Sequence, residues 1–256
     1  MQDDPRNEFV DLEPYLIPAT RVLLERIESE RRKLGLPEEY VKVMLRKVYG
    51  SIYTWQVRND FFNWHIDMPE WDEGNVVCFT HELLHIYFDF CLGIKVEHFG
   101  ELLPMVEPYS QYFEDPWHLA NQFITLTNHL QHHKMIPYFA EFQFPLDQII
   151  GNYKNPEDVF QVFDNNLEFN YDFTQPVHRY MAALSYVNFL CLEYYFPNPE
   201  VRTKIVEDYS TRMDAKFEGM RNIFHPILAR WDTEYADLRE LIFSINSEAK
   251  TYAEAI

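Results

Sequence analysis

Apolar residues recur at helical spacing over most of the chain. Leu16, Ala19, Leu23 and Ile27 form one stripe that runs to about Lys33, and Gly35 can end that helix. Pro37 suits a helix start, and Val41, Met44, Leu45 and Val48 continue at helical spacing as far as Gly50. A second helix is therefore expected there. From Ser51 to Ile66 the pattern changes. "SIYTWQV" and "FFNWHI" are rich in β-branched and aromatic residues and flank the turn-like "RND", which predicts two short strands. "DMPEWDEGN" then breaks the pattern and offers Asp72 and Asn75 as helix N-caps. Residues 1–12 are expected to be loose.

The next stretch, "VVCFTHELLHIYFDFCL", reads as a helix from Val76 to Leu92 that ends at Gly93. Val77, Thr80, Leu84, Phe88 and Cys91 follow one face, and Val76, Phe79, Leu83, Ile86 and Phe90 cover much of the rest. A helix apolar nearly all round is a central one. Helical segments are then expected near 99–112 (interrupted by Pro104 and Pro108), 116–135, 157–163, 176–196, 200–222 and 233–253. In the penultimate one, Val201, Ile205, Tyr209, Met213, Phe217 and Met220 form a stripe. The fold class is thus α+β and mostly helical: a single domain with an α+β N-terminal lobe over 13–93 and a helical C-terminal lobe over 94–256.

Composition agrees. The chain has 256 residues and only 7 glycines, and tight turns and hairpins lean on glycine. A formal charge of −19 repels nucleic-acid phosphate, so a nucleic-acid partner is not expected. Three widely spaced cysteines, Cys78, Cys91 and Cys191, make neither a disulfide framework nor a thiolate metal site. "MQDDPRNEFVDLEP" lacks the pattern of a signal peptide, and no run of 18 apolar residues marks a membrane span. A cytoplasmic protein without a membrane partner is the expectation.

The central helix carries the candidate chemistry. His81 and His85 are four residues apart, so both imidazoles lie on one helical face and can hold one ion. Glu82 sits about 100° round the helix, within reach of a water on that ion without being a ligand. Two ligands and a general base make the H-E-x-x-H arrangement. In these residues, "HELLH", the chain resembles the zincin metallopeptidases. The resemblance implies a buried motif helix under a small sheet, a Zn2+ cofactor, a peptide or protein substrate, and hydrolysis with Glu82 as base. It is carried by five residues; beyond them only the order of elements is compatible.

A catalytic zinc normally takes three protein ligands. The metzincin extension would require Gly at 88 and His at 91, where the chain has Phe88 and Cys91. A ligand on a later helix is the other arrangement, as in gluzincins, and "NHLQHHKM" is the candidate segment. The gluzincin ligand is Glu, and none lies in this stretch. Counting from the buried stripe Leu119, Phe123, Leu126 and Leu130, His133 lies about 60° and His132 about 160° from Leu130. Yet Asn128 and His132 share a polar face with Thr125 and Gln131, which an active-site cleft would explain. His132 is taken as the third ligand, with His129, His133 and Glu107 as alternatives, and Asn128 as a group that steadies a ligand or orients the substrate. The competing reading is a solvated polar face. Tyr138 is a candidate donor to the oxyanion. A di-iron bundle would need a second Glu-x-x-His, and no other histidine has Glu three residues before it. The remaining alternative is a non-catalytic helical interaction or regulatory protein with a degenerate or structural metal site.

Overall fold

A computed structural model describes residues 6–49, 55–60, 62–94, 116–146, 149, 156–231 and 238–255. It is mostly helical, with one small mixed sheet. The chain divides into two compact units, Met1–Gly93 with Tyr138–Gly151, and Ile94–Pro137 with Asn152–Ile256. The expected helix over 99–112 and the candidate ligand Glu107 lie outside the described residues.

The first unit holds strand β1 (Glu8–Val10), helix α1 (Pro18–Lys33), strands β2 (Val43–Val48), β3 (Gln56–Asn59) and β4 (Trp64–Pro69), and helix α2 (Val76–Leu92). The sheet order is β1-β2-β4-β3. β2 pairs parallel with β4, placing Leu45 opposite Ile66 and Arg46 opposite Asp67, while β1 and β3 join as antiparallel edges. Side chains alternate across a strand, so Leu45, Ile66 and Met68 enter the core with Leu23, Ile27, Phe79, Leu83 and Ile86. The other face carries Asp67, which is fully buried beneath Arg46 (2.8 and 2.9 Å) and Arg58 (2.8 Å).

Two expectations fail here. The segment after Pro37 is a strand rather than a helix, and residues 8–10 form β1 rather than a loose end. Pro37 instead opens a turn, closed by the Tyr40 amide donating to its carbonyl (3.1 Å). Val41 adopts φ 61°, which no right-handed helix admits, and its N–H donates to Phe62 O (2.6 Å). The Trp64 amide then donates to Lys42 O (2.8 Å) and starts the β2–β4 ladder. The two expected strands shift as well. β3 extends into "RND", a turn begins at Asp60, and β4 runs on through Asp67 and Met68 to Pro69. Asp60 builds that turn by accepting from the Phe62 (3.1 Å) and Asn63 (2.7 Å) amides.

The second unit holds most of α3 (Pro116–Glu141), then α4 (Pro156–Glu168), α5 (Pro176–Tyr195), α6 (Pro199–Ile205), α7 (Thr211–Lys216), α8 (Met220–Ala229) and α9 (Leu238–Glu254). α5 is its central helix, buried from Ala182 through Leu192 and packed against α8 and α9. The single helix expected over 200–222 is broken. A π-helical turn at Val206–Ser210 separates α6 from α7, and Gly219 at φ 83° separates α7 from α8. Its apolar stripe is nonetheless buried throughout. A four-residue repeat drifts about 40° per step on an α-helix, and a wider π turn offsets that drift. Arg221 ties the pieces together, donating to Asp214 (2.8 and 3.0 Å) and to the buried Glu193 (2.9 Å).

Candidate metal centre

α2 is defined at both ends. The Asn75 side chain accepts from the Cys78 amide (3.0 Å), and Gly93 at φ 69° closes the helix, its N–H donating to Phe88 O. Asp72 is not the cap; it accepts from the Trp55 indole (2.7 Å) and from the Asn75 amide group. Phe79, Leu83 and Ile86 are fully buried, and α1 meets the helix at Tyr87, over which Arg26 lies at 5.8 Å.

At about 100° per residue, with His81 as zero, His85 falls near 40°, Asp89 near 80° and Glu82 near 100°. Every imidazole and carboxylate of α2 therefore lies within one arc of about 100°. The helix is not apolar all round: it has one narrow polar stripe. Within it His81 is buried, at 7% exposure, and His85 is half-buried. Their Nε2 atoms are 3.0 Å apart. The Phe139 ring stands edge-on to His81, 6.0 Å between centroids at 88°. Glu82 is half-buried, and burial pushes its carboxyl up to about 8.

The pair can be tested against an ion. Two nitrogens 3.0 Å apart subtend about 94° at an ion about 2.05 Å from each. A tetrahedral angle needs about 3.3 Å, so opening the pair by about 0.3 Å suffices. Two imidazoles suit zinc and its first-row neighbours better than calcium or magnesium, which take oxygen donors.

Tyr138, the expected oxyanion donor, packs on Phe88 (5.4 Å) and Tyr87 (5.9 Å). Both contacts lie within one turn of His85 on α2. Burial, with a hydrogen bond to Tyr87, pushes its hydroxyl up to about 12.

In the second unit the "NHLQHHKM" segment lies on α3. His129, Gln131 and His132 are buried there, while Asn128 and His133 are half-buried. The reading of this face as solvated is therefore overturned. Gln131 donates to Ile94 O (2.6 Å), and His133 stacks on Tyr195 with centroids 3.9 Å apart. Burial pushes His129 down to about 4, so it is neutral at physiological pH. The other singled-out histidines have local partners: His65 pairs with Asp60 (2.8 Å), and His178 Nδ1 accepts from the Asp172 amide (2.8 Å).

Sequence reasoning passed over Asp89. The signal was available, because Asp89 stands four residues after His85 as His85 stands four after His81.

Comparison with known protein families, with curated proteins and with solved structures finds no match to this chain.

Proposed function

We propose that this protein is a zinc-dependent hydrolase of the zincin kind, cleaving peptide bonds inside the cell. The observation that carries the reading is the His81–His85 pair, with Nε2 atoms 3.0 Å apart on the polar stripe that also bears Glu82. Nothing in a packed apolar helix favours placing two imidazoles and a carboxyl in one arc unless they share a partner.

His132 is the proposed third ligand. The periodicity of α3 supports the choice. Phe139 lies seven residues after His132, within about 20° of the same helical face, and Phe139 is the residue that meets His81. His133 is drawn aside by Tyr195, and His129 lies about 80° from the Phe139 face. Asn128, one turn before His132, is assigned to orienting the substrate.

When bound, zinc supplies Lewis acidity toward a carbonyl oxygen and acidifies water. The remaining work belongs to the chain. His81 and His85 present their Nε2 atoms from a helix capped at both ends. Glu82 takes a proton from water at its carboxylate and returns it to the leaving nitrogen. Its apolar surroundings keep the carboxyl in the range where it can do both near neutral pH.

Elemental analysis of untagged protein tests the reading. One zinc per chain is expected in the wild type and none in His85→Ala. Glu82→Gln should keep the metal and lose turnover of a mixed quenched-peptide substrate. Wild-type protein without bound metal, or full turnover by Glu82→Gln, would defeat the proposal.

A further inference from the structure

The outer face of the sheet, turned away from Leu45, Ile66 and Met68, has no part in the reaction above. Residues directly opposite one another in a sheet share a face. Phe9, Arg46, Asp67 and Gln56 therefore form one row across all four strands, and Met44, His65 and Arg58 form a second row beside it. We propose that this face is a docking surface for an acidic peptide segment of a partner protein. Arg58 takes a carboxylate of the segment, and Phe9 packs on an apolar side chain of it. Neither contact depends on a bound metal.

Charge selects the occupant. From Tyr40 to Asn59 the chain carries Lys42, Arg46, Lys47 and Arg58 and no acidic residue, although acidic residues outnumber Lys and Arg by 41 to 22 overall. Lys47 alternates to the other face and pairs with Glu73 (2.7 Å). The strand residues of the outer face thus hold two guanidiniums, Arg46 and Arg58, against one carboxylate, Asp67. Asp60, at the rim, is engaged by His65 and by the Phe62 and Asn63 amides.

Geometry prepares Arg58 for a carboxylate. Asp67 is fully buried; Arg46 grips both of its oxygens, and Arg58 Nε lies 2.8 Å from Oδ2. Arg58 thereby commits Nε to Asp67 while its side chain stays 48% exposed, and Nη1 and Nη2 form the planar pair of donors that matches a carboxylate. Anchoring the guanidinium in advance lowers the ordering cost of binding. Phe9 is 60% exposed, and its ring lies 5.6 Å from His65, which stands directly opposite Arg58. Neighbouring strands are about 4.8 Å apart, so β1 and β3 are separated by about 14 Å, a span of about four extended residues. A polyanion dense in phosphate meets the repulsion of the whole −19 charge, which one net positive charge does not offset. A carboxylate four residues from an apolar side chain needs only the Arg58 fork and Phe9, and at physiological salt charges beyond about 8 Å are screened.

The test titrates the full-length protein, with a chelator present, against an acetylated and amidated peptide that has glutamate first, leucine four residues later and small residues between. Nitrogen-15 NMR follows the backbone amides and Arg58 Nε. Saturable shifts are expected at Arg58 and along β3 and β4. The same peptide with glutamine for glutamate should bind about tenfold more weakly, and Arg58→Gln should lose about as much, the usual worth of a charge-assisted hydrogen bond. Phe9→Ala leaves the charge unchanged and should still weaken binding severalfold. Arg32→Gln removes the same charge from an exposed site on α1 and should bind as wild type does. If Arg58→Gln does not fold, Arg58→Lys decides: it keeps the charge without the planar fork and should lose most of the affinity. Equal binding of the two peptides, equal losses in Arg58→Gln and Arg32→Gln, or unchanged binding by Phe9→Ala would overturn the proposal. Tighter binding of a single-stranded oligonucleotide than of the peptide would overturn it too.

Discussion

His129 lies buried on α3, and burial pushes its imidazole down to about 4. In the unfolded chain the same group titrates near 6.5. Above that value both states are neutral, and His129 contributes nothing to pH dependence. As pH falls through 6.5 the unfolded chain takes up a proton that the folded protein refuses, so stability falls. The loss continues to about pH 4, where the folded protein also protonates. A difference of roughly 2.5 pH units at 1.36 kcal/mol per unit amounts to about 3 kcal/mol. Other groups titrate in the same window, so the variant His129→Gln isolates the effect. Urea unfolding of both proteins should be followed by far-ultraviolet circular dichroism from pH 7.5 to 4.5, with a chelator present. Whatever His129→Gln costs at neutral pH, the gap between the two curves should close, or reverse in favour of the variant, by about 2–3 kcal/mol on acidification. Parallel curves would refute the reasoning, because they would show that His129 is protonated as easily in the fold as in the unfolded chain.

Asp67→Asn removes the carboxylate that Arg46 and Arg58 share on the sheet and leaves Arg46 part-buried without its ion pair. Denaturant unfolding should show a loss of about 3–5 kcal/mol, and a loss within error of zero would contradict the pairing. Asn75→Ala removes the cap of α2 and should destabilise the protein by about 1 kcal/mol, read as a lower melting temperature with the helix otherwise intact. Tyr138→Phe should leave turnover nearly unchanged, because that hydroxyl is engaged by Tyr87. A fall of about a hundredfold in kcat would instead restore it as an oxyanion donor.

The central helix was legible from its residues alone. The i, i+4 spacing of His81 and His85, the Asn75 cap and the Gly93 stop are all local features, and the structure shows each of them. The narrow polar stripe was equally present in the spacing; counting apolar residues by face, rather than polar ones, concealed both it and Asp89. The mostly helical fold class followed from periodicity and scarce glycine. Other features depended on partners far along the chain. Val43–Val48 is a strand because its parallel neighbour, Trp64–Pro69, supplies a hydrogen-bonding edge about twenty residues later. Spacings of three and four cannot announce that edge. The π turn at Val206–Ser210 likewise answers the packing of a stripe rather than any residue preference within the turn. The same holds for "NHLQHHKM", whose polar residues fitted a cleft or, as the competing reading, a solvated face until their burial was known. Hydrogen bonds and caps within a helix are set by neighbours a few residues away, so the sequence can state them. Burial and strand pairing are set by surfaces that meet only once the chain has folded, and those the tertiary structure alone decided.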